Sequence, residues 1–230
     1  MPFIHSTACP IEPSQIGVAI SRGDFGTHIG LIFTDNEKQT RILHLAWHKK
    51  ILVDNYPIDE KRCWVSIIPD LHPITAKTLV GILRKVARRQ PKIPYGIGVL
   101  AAFGSFSPEG DYKAPKGSDG LTCATFVSEL LKAHGVRLIQ ESTWPEGVNA
   151  EWAGDVHAAL KQWDGVDENH LAAVQSNTLG IRIRPEELGA VADTPSKTWP
   201  LPYTEAATRS ADVLLGLNIY CPLPAITAIH

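Results

Sequence analysis

The chain has four cysteines in 230 residues, Cys9, Cys63, Cys123 and Cys221, and no two of them stand at the short paired spacing of a zinc ribbon or a disulfide framework. They are read as reduced thiols. A charge excess of one sign is also missing: Lys+Arg 22 against Asp+Glu 24 leaves a net charge of -2, whereas a nucleic-acid binder usually carries a basic surplus over its whole domain. The only dense basic run, Arg84, Lys85, Arg88, Arg89 and Lys92, reads as the solvent side of one helix. No stretch is apolar enough to span a bilayer, and Met1-Pro2-Phe3-Ile4-His5-Ser6-Thr7 has neither the charged start nor the apolar run of a secretory signal. A cytoplasmic start is therefore the expectation, with export by a route that needs no cleaved signal as the other option. Repeats and low-complexity tracts are lacking as well. A composition of 44% hydrophobic and 20% charged residues suits one sizeable domain, or a domain with an extension.

What is present centres on Cys123. The stretch Asp119-Gly120-Leu121-Thr122-Cys123-Ala124-Thr125-Phe126-Val127 reads as a turn feeding an amphipathic helix, with Val127, Leu130 and Leu131 as its buried stripe and Gly135 as its cap. The thiol then lies in the first turn, where unpaired N–H groups and the positive end of the helix dipole favour thiolate and so predict a lowered pKa.

Upstream, the period is that of strands. Ile16, Val18 and Ile20 alternate before a break at Gly23-Asp24-Phe25-Gly26, Thr27 to Phe33 forms a second strand, and Thr40 to His48 a third after a turn at Asp35-Asn36-Glu37-Lys38. A fourth strand is expected around Arg62 to Ile68. Leu79, Ile82, Leu83 and Val86 then mark a helix between Pro73 and Pro91, and residues 91–117 form an ordered connection with at most a short helix over Val99 to Phe103. Beyond a possible strand at Val136 to Gln140, helical candidates span Asn149 to Trp163, Pro185 to Val191 and Thr204 to Leu215. The expected division is a catalytic domain over 1–143 and a mainly helical extension over 144–230 packed on the same domain.

A nucleophilic thiol needs a base within hydrogen-bond reach, and that base needs a group to orient it. With the hairpin turn centred near Asn36 or Glu37, parity puts His28 and His44 on one face, opposite or diagonal. The expected geometry packs the Cys123 helix against the sheet face that carries His28, with His44, or His48 on the same face, holding the His28 ring. Backbone N–H groups at the helix start, including that of Cys123, would face an oxyanion.

The segments Thr-His-Ile-Gly-Leu-Ile-Phe, Ile-Leu-His-Leu-Ala-Trp-His, Ile-Pro-Tyr-Gly and Leu-Thr-Cys-Ala-Thr-Phe-Val together resemble the NlpC-type papain-like cysteine hydrolases in circularly permuted order. The histidines precede the Pro-Tyr-Gly and Cys elements, as in the branch that includes YiiX-like and lecithin:retinol acyltransferase-like proteins. The resemblance covers roughly residues 16 to 140. It implies an α+β papain-like fold, Cys123 as nucleophile, His28 as general base, His44 as the orienting residue and Tyr95 as a contact to substrate or oxyanion. Ala124 stands where many members have Ser, and the connection from Tyr95 to Cys123 is longer than the glycine-rich one of the cell-wall enzymes.

The activity expected is that of a cysteine-dependent peptidase or amidase working through a thioester on a peptide-like, possibly peptidoglycan-derived, substrate, with no cofactor and no metal. A lipid acyltransferase or thioesterase of the same fold, or a non-catalytic binding module, are the alternatives. A long apolar groove would favour lipid, and a polar cleft with a carboxylate-binding Arg would favour peptide. Zinc on Cys123, His28 and His44 is disfavoured for want of a fourth ligand. His5, His72, His134, His157, His170 and His230 read as surface or capping residues. Cys63 reads as a buried strand residue.

Overall fold

The computed structural model describes residues 4–5, 11–23, 25–57, 64–99, 102–147 and 149–220. The protein is α+β. Six strands, β1 (Ile4–His5), β2 (Gly17–Gly23), β3 (Gly26–Thr34), β4 (Thr40–Trp47), β5 (Lys50–Asn55) and β6 (Trp64–Ile67), make one antiparallel sheet in the spatial order β1-β6-β2-β3-β4-β5. Cys63 and Arg62, assigned from the sequence to the last of these strands, lie outside the described residues, as do Cys9 and Cys221.

The β3–β4 hairpin forms as its turn chemistry dictates. The Asp35 carboxylate accepts the N–H groups of Glu37 (2.8 Å) and Gln39 (2.9 Å), and Lys38 takes the left-handed conformation at φ 61. The register Leu31↔Leu43 to Thr34↔Thr40 centres the turn on residue 37. Period-2 alternation then separates two faces. Ile29, Leu31, Phe33, Leu43 and Leu45 are fully buried in the main core, while Ala19, Ile32 and Ile42 form a smaller cluster on the other side.

β5 was not anticipated from the sequence. β4 turns into it through His48 and Lys49, with Lys49 at φ 56, and neither residue carries the Gly, Asn or Pro signature that announces a tight turn. A register shift between Leu45 and Trp47 ends β4 one residue before His48.

Six α-helices follow: α1 (Pro73–Arg89), α2 (Cys123–Lys132), α3 (Ala150–Lys161), α4 (Glu168–Ser176), α5 (Pro185–Ala192) and α6 (Tyr203–Tyr220). α1 buries Leu79, Val80, Leu83 and Val86, and its basic side is solvated, with Lys85 and Arg89 paired to Asp111. α4 escaped the sequence reading because it buries only Val174 and so has almost no apolar period. The strand expected over Val136 to Gln140 is absent; a single parallel bridge, Ile139↔Leu201, stands in its place. Over Val99 to Phe103 the described residues show one turn, closed by Ala102 N–H to Val99 O, with Leu100 and Ala101 outside the description.

One core joins the N-terminal and C-terminal halves. It runs from β2 and β3 through α2 (Phe126, Val127, Leu130, Leu131) to α5 (Leu188, Val191) and α6 (Ala206, Val213). α5 packs on β2, β3, β6 and α2, so the helical extension completes the core of the sheet. Among the described residues, no helix is long and apolar enough to cross a membrane.

Candidate active site

Cys123 is the first residue of α2, and the helix is anchored hard behind it. Phe126, Val127, Leu130 and Leu131 are each 0% exposed, which at about 1.5–3 kcal/mol per large apolar side chain contributes roughly 6–12 kcal/mol to fixing that helix. At its start, the Thr122 hydroxyl accepts the Thr125 N–H (3.0 Å) and Thr125 Oγ1 accepts the Thr122 N–H (2.7 Å), a reciprocal cap. Val136 N–H to Leu131 O (3.0 Å) and Gly135 at φ 80 close the far end as expected.

The loop carrying Tyr95 is clamped to the helix start by a close backbone approach. Tyr95 and Leu121 form a parallel bridge, with Leu121 N–H to Pro94 O at 3.0 Å and Gly96 N–H to Leu121 O at 3.1 Å. Only glycine fits on both sides of it. A Cβ on Gly96 would lie 2.2 Å from Asp119 O, and one on Gly120, which sits at φ +105, would lie 2.1 Å from Pro94 O. The fully buried Asp119 carboxylate then accepts the N–H groups of Ile97 (2.9 Å) and Gly98 (3.0 Å). This bracing explains both sequence motifs, Ile-Pro-Tyr-Gly and Asp-Gly-Leu-Thr-Cys.

Across the hairpin, His28 Nε2 and His44 Nδ1 are 2.7 Å apart, and His44 Nε2 is 3.0 Å from Asp54 Oδ2. The placement is diagonal, since the β3–β4 register sets His44 opposite Gly30. Gly30 makes the room: a Cβ there would stand 2.7 Å from Ile42 Cγ2 and 3.1 Å from His44 Cβ. The hydrogen-bond inventory fixes the tautomers. The carboxylate only accepts, so the proton of His44 is on Nε2; its Nδ1 therefore accepts from His28 Nε2–H; and His28 Nδ1 carries a free lone pair. Burial lowers the pKa of both rings, that of His28 to about 4 against the raising pull of Asp54, so both are neutral at neutral pH.

Cys123, His28, His44 and Tyr95 line one cavity of about 540 Å³. The sulfur's near partners are the backbone N–H groups of Ile29 and Ala124, which pull its pKa down, and the Tyr95 hydroxyl. His28 is not among these partners, although Ile29 is its chain neighbour. Two expectations are corrected here. First, α2 packs on the face of Ile29, Leu31 and Phe33, not on the face that carries His28. The groups meet because the β3–β4 ladder runs only from Thr34 to Leu31, and the cavity opens beyond it, lined by Thr27 and His28 of opposite parity. Second, the thiol pKa is raised rather than lowered. Cys123 is 4% exposed, and burial outweighs the opposing pull of the N–H groups and of Arg182. Burial also pushes the Tyr95 phenol well up. The resting pair is thiol and neutral imidazole.

His48 does not compete with His44. It is buried at the opposite end of β4's turn, where Tyr95 N–H reaches its Nδ1 at 3.4 Å, and its ring meets that of His170 edge-on at 4.6 Å. His170, read from the sequence as a surface residue, instead hydrogen-bonds Tyr95 O at 3.0 Å. His72 does cap, accepting the Ile74 N–H at the start of α1. The zinc arrangement has no geometric basis, because both nitrogens of His44 are engaged; among the described residues no group of three His, Cys, Asp or Glu is placed to hold a metal ion.

Three residues of the site were missed. Asp54 lies on β5, the strand that was not anticipated, opposite Ile42 and hence on the face of His44. Arg182 and Trp152 reach the cavity from the helical extension, a juxtaposition without any local sequence signal. Comparison with protein-family models, with curated proteins and with solved structures gives no match to this chain.

Proposed function

We propose that the protein is a cysteine-dependent amide hydrolase, a peptidase or amidase of papain-like, permuted NlpC-type architecture, acting on a peptide-like acyl substrate. The observation that carries this reading is the hydrogen-bonded chain Asp54–His44–His28, whose last ring lines the cavity that also holds the Cys123 thiol. Imidazole and thiol are both neutral at rest, so the proton has to move from sulfur to nitrogen as the bond to carbon forms. Apo catalytic contacts are commonly loose and tighten with substrate bound.

In the first half-reaction Cys123 Sγ attacks the amide carbonyl while its proton passes to His28 Nδ1. The imidazolium is held by donation from Nε2 to His44 and by the Asp54 charge beyond it. The oxyanion takes donors from the Cys123 N–H at the head of α2 and from the Tyr95 hydroxyl on the same cavity wall. Collapse expels the amine with the proton from His28, leaving a thioester; water, deprotonated by the same nitrogen, then releases the acid. A peptide is favoured over a lipid because the cavity wall carries Arg22, Lys50 and Arg182 among its aromatic residues.

The test is mass spectrometry of the protein quenched in acid during turnover of a panel of peptide amides and esters. An acyl adduct on Cys123, lost in Cys123→Ala and His28→Ala, is the expected result. Turnover that survives either substitution, or an adduct on another residue, would overturn the assignment.

A further inference from the structure

The cavity wall is short of acceptors. Three of its described lining residues, Arg22, Lys50 and Arg182, are cationic and none is a carboxylate, in a chain whose net charge is -2. Two donors in that wall, Arg22 Nε and Trp152 Nε1, are buried with no hydrogen-bond partner among the described residues, while Arg22 Nη2 donates to Asn218 Oδ1. The Arg182 guanidinium carbon sits over the Trp152 ring, 3.6 Å from its centroid, and the residue has no ion pair among the described residues. The nearby carboxylates make no ion pair with Arg182: Glu186 accepts the Thr27 hydroxyl and only supports the guanidinium charge from a distance, Glu187 accepts the Trp144 indole N–H and the Arg184 backbone N–H, and Asp54 accepts His44. A partly buried guanidinium stacked on an indole, with its N–H fork unused, is desolvated and pre-oriented for a planar two-oxygen acceptor.

Resting on the hydrolase reading above, we infer that the substrate's acyl portion bears a carboxylate, which Arg182 binds through its fork, with Arg22 and the Trp152 indole supplying further donors. Buried donors left unpaired are costly, and a ligand that satisfies several at once gains correspondingly. The aromatic rim formed by Phe25, stacked on Trp47 at 5.4 Å, and by Trp163, edge-on to Trp47 at 6.3 Å and 47% exposed, would cover the apolar part of the same substrate. Arg182 is then a substrate-binding residue supplied by the helical extension to a thiol supplied by α2. That gives the extension a function in specificity.

The experiment compares two alkylating probes of nearly equal size, iodoacetate and iodoacetamide, with the rate at Cys123 read by peptide mass mapping. The ratio of the two rates cancels any effect of Arg182 on the thiol's own ionisation. In the folded protein the iodoacetate/iodoacetamide ratio is expected to be at least tenfold above that of Cys123 in the same chain unfolded in urea. It should fall to the unfolded value in Arg182→Gln, fall part of the way in Arg182→Lys, which keeps the charge but not the fork, and shrink with added salt. A folded-state ratio equal to the unfolded one, or one unchanged in a folded Arg182→Gln protein, overturns the inference; if that variant does not fold, the wild-type ratio and its salt dependence decide. Matched substrates then separate the source of the carboxylate: a peptide free acid against its C-terminal amide, and Glu against Gln beside the scissile bond, with Arg182→Gln raising KM for the acid alone. Equal turnover of acids and amides by the wild type sinks this inference while leaving the hydrolase intact. An anion preference at Cys123 without any turnover does the reverse.

Discussion

Replacing Gly120 by alanine tests the bracing that sets Tyr95 beside Cys123. The residue sits at φ +105, and a Cβ would lie 2.1 Å from Pro94 O and 2.6 Å from its carbonyl carbon. Alanine in this part of backbone space costs about 1–2 kcal/mol before any contact is considered. The overlap involves backbone on both sides, so the strands of the clamp must separate. That breaks Leu121 N–H to Pro94 O and Gly96 N–H to Leu121 O, at about 1–3 kcal/mol for each group left unsatisfied in a buried setting. The total expected is about 3–8 kcal/mol. At roughly 2–4 °C per kcal/mol for a domain of this size, the Tm should fall by about 6–32 °C in a calorimetric or circular-dichroism melt. Two other glycines serve as controls. Gly117, at φ +77 with nothing within 4 Å, should cost only the conformational 1–2 kcal/mol or so on replacement by alanine. Gly81, exposed on α1 with open space around it, should give about 0.5–1 kcal/mol of stabilisation. A Gly120→Ala protein that melts together with Gly117→Ala would show that the close approach has no energetic consequence.

Removing the ends of the histidine chain should have unequal effects. His44→Ala deprives His28 of its orienting acceptor and is expected to lower kcat/KM by roughly 10²–10⁴-fold. Asp54→Asn, whose carboxylate is 43% exposed and screened by solvent, should lower it only about tenfold; equal losses would contradict the order of the chain. Acid should remove both activity and stability. His28 and His48 titrate at about 4 in the folded state against 6.5 in the unfolded one, so the unfolded chain binds more protons between those values. The stability they contribute is complete above about pH 6.5 and is lost as pH falls through about 4. Urea midpoints measured from pH 7.5 to 4 should decline over that window, less steeply in a folded His28→Asn variant, and a flat profile would refute the burial of neutral rings. The acid limb of kcat/KM should lie near pH 4 for the same reason, and a limb near 6.5 would refute the desolvation of the His28 ring.

Much of this was legible along the chain because it depends on local chemistry. Asp35 turning the hairpin, Thr122 capping α2, Gly135 ending it and the alternation of β3 and β4 are all decided within a few residues, and they suffice to put His28 and His44 on one face. β5 was hidden because His48 and Lys49 make a tight turn with residues that do not advertise one, and Asp54 was hidden with it. The raised thiol pKa was also out of reach. A helix start favours thiolate, but the sign is set by how deeply the rest of the chain buries that start, which Cys123's own neighbours do not encode.

By itself, then, the order of residues determined a cysteine at the head of an amphipathic helix, two histidines on one side of a hairpin and an α+β pattern, since backbone periodicity and capping act over one or two turns. Tertiary structure alone decided that thiol and imidazole share a cavity where the β3–β4 ladder stops, that His44 leans on Asp54, and that Arg182 and Trp152 close the wall. Those contacts join segments up to some 160 residues apart, and they exist only because one continuous hydrophobic core holds the sheet, α2 and the C-terminal helices together.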